Sequence, residues 1–286
     1  MNFHTGIKLC SGRFLDLSGP ALVMAVINCN DDSFYPASRS KADEAAEKAL
    51  AAQACGAAII DFGGESSRPG SSYIDAGEEL RRVIPAIEMF RKKSNLPISV
   101  DTRKAVVAAA ALDAGADIVN DISALGDDPQ MAGLCARRGA AVVLVHMKGT
   151  PAGMRDTPVY SDVTAEVRDF LAEAADRAVR AGIDRNRIII DPGFGFNKNT
   201  ADNLVLLARL AEIRLTGYPL LAGLSRKTFI GEITGRPIQN RLAGTMAANA
   251  AAIWAGADII RLHDVQEGVD LARTLYEIKK KEKFGT

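Results

Sequence analysis

Ala114-Gly115-Ala116-Asp117-Ile118 recurs far along the chain as Ala255-Gly256-Ala257-Asp258-Ile259. Looser copies stand at Cys55–Ile59 and Arg138–Val142. In each copy a glycine (Gly56, Gly115, Gly139 or Gly256) separates a stretch with helical spacing from a short apolar run. A helix that ends there needs a residue tolerant of positive φ before the next strand begins. Working outward from these junctions, eight apolar runs emerge: Ala21–Ile27, Ala57–Ile60, Pro97–Val100, Ala116–Val119, Ala140–Val145, Ile188–Ile190, Pro219–Leu224 and Ala257–Ile260. They are continuous rather than alternating, as strands covered on both faces should be. Between them, segments such as Lys41–Ala54, Glu78–Phe90 and Val163–Ala181 carry apolar residues at helical spacing. Eight strands alternating with helices predict an α/β fold, a (β/α)8 barrel.

The 286 residues suit such a barrel as a single domain over residues 1–286, with no length left for a fused second enzyme. Within residues 1–20, Ile7–Leu17 alternates apolar and polar residues around Ser11-Gly12 and predicts a β-hairpin capping the barrel bottom. The helix after Asp264 takes up the rest, with Lys279–Lys283 expected as a solvated tail. Thirty-five basic and 35 acidic residues give zero formal charge, which offers no electrostatic basis for nucleic-acid binding. An anionic ligand would need a local cluster of cations. Cys10, Cys29, Cys55 and Cys135 lack metal-ligand spacing and read as reduced thiols. Neither a secretion signal nor an apolar run of membrane-spanning length is present, so a cytoplasmic enzyme without a membrane partner is expected.

What stops each apolar run carries the functional signal. In order these are Asn28, Asp61, Asp101, Asn120, His146, Asp191, Ser225-Arg226-Lys227, and Arg261 with His263. Active sites of such barrels lie at the C-terminal strand ends, so these groups should converge on one mouth. Gly- and Pro-rich loops follow several of them, at Gly63–Gly70, Gly149–Gly153 and Pro192–Gly195, and let backbone approach a ligand. Asp101, Asn120 and Asp191 suit a heteroaromatic edge bearing N–H donors. Arg68, Arg226, Lys227, Arg261 and His263 suit a phosphate or pyrophosphate. Asn28 is a neutral oxygen ligand acceptable to Mg2+. These residues point to a flat ring attached to an anionic leaving group and do not name it.

The surrounding segments resemble the dihydropteroate synthases, pterin-binding barrels, across nearly the whole chain. The resemblance rests on Asp61-Phe62-Gly63-Gly64-Glu65-Ser66-Ser67-Arg68-Pro69-Gly70, Ile98-Ser99-Val100-Asp101-Thr102, Asn120-Asp121-Ile122 and His146-Met147-Lys148-Gly149-Thr150-Pro151. Asp191-Pro192-Gly193-Phe194-Gly195-Phe196, Gly223-Leu224-Ser225-Arg226-Lys227 and Arg261-Leu262-His263-Asp264 complete it. It implies that Asp101, Asn120, Asp191 and Lys227 hold the pterin edge, with Met147 beneath the ring and Arg261 stacked on it. It implies that Asn28, Ser67, Arg68, Arg261 and His263 bind pyrophosphate, with Mg2+ at Asn28. Phe34, Ser67, Pro69, Phe196, Lys227 and Thr228 would border p-aminobenzoate, whose carboxylate would meet the helix that follows Ser225. Lys227, Asp101, Arg261 and Arg68 would carry the catalysis, and a homodimer is implied. His146 stays open between acid–base work and support of the pterin floor.

Two departures from the family pattern stand near the chemistry. The first loop reads Asn28-Cys29-Asn30-Asp31-Asp32-Ser33-Phe34, where Asn30-Asp31 replaces the family's usual Thr-Pro and its fixed φ. Ser67 stands for the usual threonine and Thr228 for the usual serine. The alternatives are a pterin-binding barrel that moves a methyl group from methyltetrahydrofolate to a corrinoid protein, and a pterin-binding paralogue without turnover. The cations of Ser67-Arg68-Pro69-Gly70 and Ser225-Arg226-Lys227 disfavour the methyltransferase.

Overall fold

A computed structural model describes residues 6–29, 41–65, 73–149 and 159–282. The hairpin strands β1 (Gly6–Lys8) and β2 (Phe14–Asp16) pair antiparallel. The barrel strands are β3 (Leu22–Asn28), β4 (Ile59–Gly63), β5 (Ile98–Asp101), β6 (Ile118–Asp121), β7 (Ala141–Val145), β8 (Ile188–Asp191), β9 (Leu221–Ala222) and β10 (Ile259–Leu262). They form one parallel sheet in the order β8-β7-β6-β5-β4-β3-β10-β9. A parallel bridge from Ile190 to Leu220 joins its two edges. The helices between them are α1 (Lys41–Ala54), α2 (Ala76–Arg91), α3 (Ala105–Asp113), α4 (Met131–Arg138), α5 (Val163–Arg180), α6 (Thr200–Ala208), α7 (Leu210–Arg214), α8 (Thr228–Thr234), α9 (Leu242–Trp254) and α10 (Val265–Glu282). The expected (β/α)8 barrel with an N-terminal hairpin is therefore what the chain forms. None of the described helices is long and apolar enough to cross a membrane.

All the barrel strands but β8 start a residue or two later than their apolar runs, and all but β7 and β9 continue into their polar ends. The junction explains this. Ala57, Ala116, Ala140 and Ala257 donate their N–H back into the preceding helix, to Ala52, Ala111, Cys135 and Ala252. The glycine before each has φ between 60° and 107°. Each helix thus ends in a Schellman closure, and its last apolar residue belongs to the helix rather than to the sheet. β9 has two residues; Pro219, ahead of it, has no N–H and offers only its carbonyl, which accepts from Ile190.

The repeat aspartates have a role that spacing did not reveal. Asp117 accepts from the N–H of Ile98 and from Arg91. Asp258 accepts from the N–H of Leu220 and from Arg214. In both copies the carboxylate ties the beginning of a neighbouring strand to the end of a helix.

Alternate strand residues enter two different cores. Ile60, Val119, Ile188 and Ile190 pack outward among the helices. Ile59, Ile118, Ile189, Leu221 and Ile259 fill the barrel. Period-two alternation of side chains accounts for the split. Ile7, Leu9 and Leu15 of the hairpin join the inner cluster at the strands' N-terminal ends, and Arg13 reaches Asp117 there. The opposite end is left for polar groups. Of the C-terminal lysines, Lys279–Lys281 lie within α10, where Lys279 differs from expectation by donating to the carbonyls of Ile253 and Trp254 at the end of α9; Lys283 lies outside the described residues.

Candidate active site

Strand register brings Asn28, Gly63, Asp101 and Asn120 side by side across β3 to β6. Arg261, from β10, crosses toward them. Its Nε donates to Asp61 Oδ2 at 2.6 Å and its Nη2 to Asp101 Oδ2 at 2.8 Å. Asn120 Nδ2 donates to the same Asp61 oxygen at 3.2 Å. Burial opposes the charge on Arg261, but Asp61 and Asp101 outweigh it and hold its pKa above the usual guanidinium range. Burial pushes Asp101 up, with Arg261 opposing the rise and Asp61 adding to it. Asp61 Oδ1 and Asn120 Oδ1 are buried without a hydrogen-bond partner. Such groups are costly unless something else satisfies them.

Asp191 ends β8 and accepts from Gly193 N–H at 2.7 Å. Burial raises its pKa, opposed by that N–H and by Lys227. Lys227 Nζ lies 4.4 Å from the centre of the Phe196 ring, a cation–π distance. Burial lowers Lys227 to about 8, with Asp191 pulling the other way. Gly195 is needed beside it: its φ is 78°, and a Cβ would stand 3.0 Å from Lys227 Cδ. Met147 and Phe196 are buried in the inner cluster. The sequence-derived residues Asp101, Asn120 and Arg261 thus meet at one part of the mouth, and Asp191, Lys227 and Phe196 at another.

Asn28 and His263 are exposed at their strand ends, and Thr228 is exposed as the first residue of α8. Ser225 Oγ lies 2.9 Å from His263 Nδ1. Arg226, grouped by sequence with the anion-binding cations, instead forms a two-point ion pair with Asp264 at 3.0 and 2.5 Å. Its φ is 53°, and its N–H donates to Thr245 Oγ1, so it braces one loop on the next. His146 is buried edge-on to Phe170, and its Nδ1 meets Lys198 Nζ at 2.9 Å. Burial, aided by Lys198, lowers its pKa to about 2, which argues against acid–base work near neutrality.

Phe34, Ser67, Arg68, Pro69 and the divergent Asn30-Asp31 pair lie outside the described residues. The residues flanking the second loop are described. Glu65 accepts from Arg103 and Lys104, each at 2.6 Å, and Lys104 also reaches buried Glu79 at 2.6 Å. The Tyr73 ring lies 4.3 Å from Lys104 Nζ. Sequence reasoning missed this network. Asp61 was visible as a strand end, but its pairing with a residue 200 positions away was not. Glu79, Lys104 and Lys198 sit on helices or loops, where no local pattern distinguishes them from surface charges.

Among the described residues no group of three or more His, Cys, Asp or Glu could hold a metal. Mg2+ on a phosphate substrate does not need such a cage, because substrate oxygens and water complete its shell. The exposed amide of Asn28 fits that single-ligand role. The cysteines are free, with Cys29 and Cys135 buried.

Carboxylates and an amide beside cations at the C-terminal end of a parallel barrel define a class: barrel enzymes whose mouth suits a flat hydrogen-bonding ring next to an anion. The model of the pterin binding enzyme family matches residues 24–263. The dihydropteroate synthase of Escherichia coli K12 is 42% identical over 265 residues, 92% of this chain and 93% of its own. The Xanthomonas albilineans dihydropteroate synthase solved with 4-aminobenzoic acid superposes with a TM-score of 0.90 at 44% identity, covering 97% of this chain and 98% of that one. The same organism's enzyme in complex with 7,8-dihydropteroate gives a TM-score of 0.86 at 41% identity, covering 96% and 98%. The chain belongs to the pterin-binding enzymes and, among them, to the dihydropteroate synthases, transferases of folate biosynthesis.

Proposed function

We propose that this mouth joins the CH2 carbon of 6-hydroxymethyl-7,8-dihydropterin pyrophosphate to the aniline nitrogen of p-aminobenzoate. The C–O bond to pyrophosphate breaks, a C–N bond forms, and the nitrogen loses a proton. The observation that carries the reading is the Asp61–Arg261–Asp101 knot, with unpartnered oxygens on Asp61 and Asn120 beside it. Asn120, Asp101 and Asp191 accept from the N–H edge of the pterin, and Lys227 donates to it. Met147 lies under the ring, and Arg261, held in plane by two carboxylates, stacks on it.

Leaving is assisted by charge rather than by a nucleophilic side chain. Arg261 and His263 bind pyrophosphate, together with Ser67 and Arg68, and Asp101 stands nearest the cation that develops on the ring. Mg2+ held by Asn28 and phosphate oxygens would neutralise charge on the leaving group. Phe196, Lys227 and Thr228, with Phe34, Ser67 and Pro69, border p-aminobenzoate. The named relatives favour this condensation over methyl transfer, since one was solved with 4-aminobenzoic acid and one with 7,8-dihydropteroate.

The chain acts as a homodimer in the cytoplasm. The support for a dimer is that α6, α8 and α9 pack on one another while exposing Leu204, Val205 and Ile233. The test of function is an assay of purified protein with dihydropterin pyrophosphate and labelled p-aminobenzoate, with and without Mg2+. Labelled dihydropteroate that depends on both substrates is expected. Methyl transfer from methyltetrahydrofolate without condensation would overturn the reading.

A further inference from the structure

The loop between β8 and α6 is folded around an ammonium group. Lys198 is only 7% exposed. Its Nζ lies 2.9 Å from Gly193 O, 2.9 Å from His146 Nδ1 and 3.3 Å from Phe196 O. Burial lowers its pKa to about 7; in the ammonium form it has three donors and no acceptor, and all three are used. His146 must then present a lone pair at Nδ1 and be the neutral Nε2–H tautomer. This histidine is an acceptor in the frame of the loop.

Both groups set against Lys227 hang from that frame. Gly193, whose carbonyl Lys198 holds, gives its N–H to Asp191 Oδ1. Its φ is 67°, and a Cβ would come within 1.9 Å of His146 O, so only glycine fits. Phe196, whose carbonyl Lys198 also holds, gives its N–H to Gly193 O at 3.1 Å and lays its ring under Lys227 Nζ. Asn203 closes the loop from α6, accepting from Gly195 N–H and donating to Lys198 O.

We propose that Lys198, oriented by His146, is a positioning residue that sets Lys227 in the mouth through Gly193–Asp191 and through Phe196. It touches no substrate. The proposal rests on the reading of Lys227 as a substrate-binding ammonium. The charges facing these groups are Asp191, Arg261 and Asp101 around Lys227; Asp191, Lys227 and Asp202 around Lys198; and Lys198 and Lys148 around His146.

The test is the alkaline limb of the kcat/KM pH profile in the full-length protein. Lys227→Arg cannot deprotonate in the working range, so the limb near pH 8 should vanish; a limb near 8 that survives overturns the Lys227 reading and this proposal with it. Lys198→Met releases the carbonyls of Gly193 and Phe196 and should lower kcat/KM about tenfold or more while moving the limb by about half a unit or more, as Asp191 and Phe196 lose their set against Lys227. A limb that stays in place in Lys198→Met, while Lys227→Arg abolishes it, overturns the proposal alone. His146 supplies a second pair of variants that keeps the lysine, for use even if Lys198→Met does not fold. His146→Phe should lose activity and His146→Asn, whose Oδ1 can stand in for Nδ1, should recover most of it. Equal activity in the two overturns the proposed orientation by His146.

Discussion

Asp117 at the N-terminal end of the barrel and Asp61 at the C-terminal end are both buried carboxylates held by arginine. Asp117 receives Arg13 on both oxygens, and its Oδ2 also takes Arg91 and the N–H of Ile98. Asp61 receives Arg261 and Asn120 on Oδ2 alone, and its Oδ1 is left without a partner. In the first cluster both carboxylate oxygens are used and tie a strand to a helix, although Arg91 Nε beside them has no partner. The second is unfinished: Asp61 Oδ1 and the neighbouring Asn120 Oδ1 have no partner. A fully satisfied buried polar group specifies structure, whereas unsatisfied acceptors beside other strand-end polar groups leave room for a ligand to complete the network. Arginine beside aspartate does not by itself distinguish scaffold from site; unspent acceptors among the polar strand ends of the mouth do.

Substitutions at the mouth should break this contrast most strongly. Lys227→Ala is expected to lower kcat/KM by about a thousandfold with an unchanged urea midpoint. Arg261→Ala should lose as much activity and, unlike Lys227→Ala, about 3–5 kcal/mol of stability, because Asp61 and Asp101 are left facing each other unpaired. Equal urea midpoints for the two variants would refute the compensating role of Arg261.

At the sealed end the order reverses. Asp117→Ala should cost about 3 kcal/mol in denaturant unfolding and leave kcat/KM within about twofold, since only scaffold is lost. A large kinetic defect in a well-folded Asp117 variant would mean that the two ends are coupled.

Titration separates the regions more gently. Burial lowers Lys227 to about 8, so kcat/KM should fall above that pH as the ammonium is lost. His146 is neutral when buried, with its pKa lowered from 6.5 to about 2. The unfolded chain therefore binds a proton that the folded chain refuses, and its contribution to stability is present above pH 6.5 and lost as pH falls toward 2. Melting temperature against pH should show that loss in the parent and a flatter acid slope in His146→Asn. The smallest effect belongs to Lys279→Met, about 0.5–1 kcal/mol by thermal melting, from the lost cap on α9.

Much of this molecule is local and so was legible in the chain. The Gly-Ala junctions specify helix stops through backbone geometry, and continuous apolar runs specify covered strands. Those two features suffice for a barrel, and the barrel dictates that Asn28, Asp101, Asn120, Asp191 and Arg261 share a mouth. The family motifs then named the ring and its leaving group. What no local pattern encodes is which charge answers which. Arg261 meets Asp61 across the barrel, Arg226 turns away to Asp264, and Lys198 folds inward onto His146. Those choices depend on burial and on distances between residues far apart in sequence, because a charge stripped of water must find its partner wherever the fold has placed one.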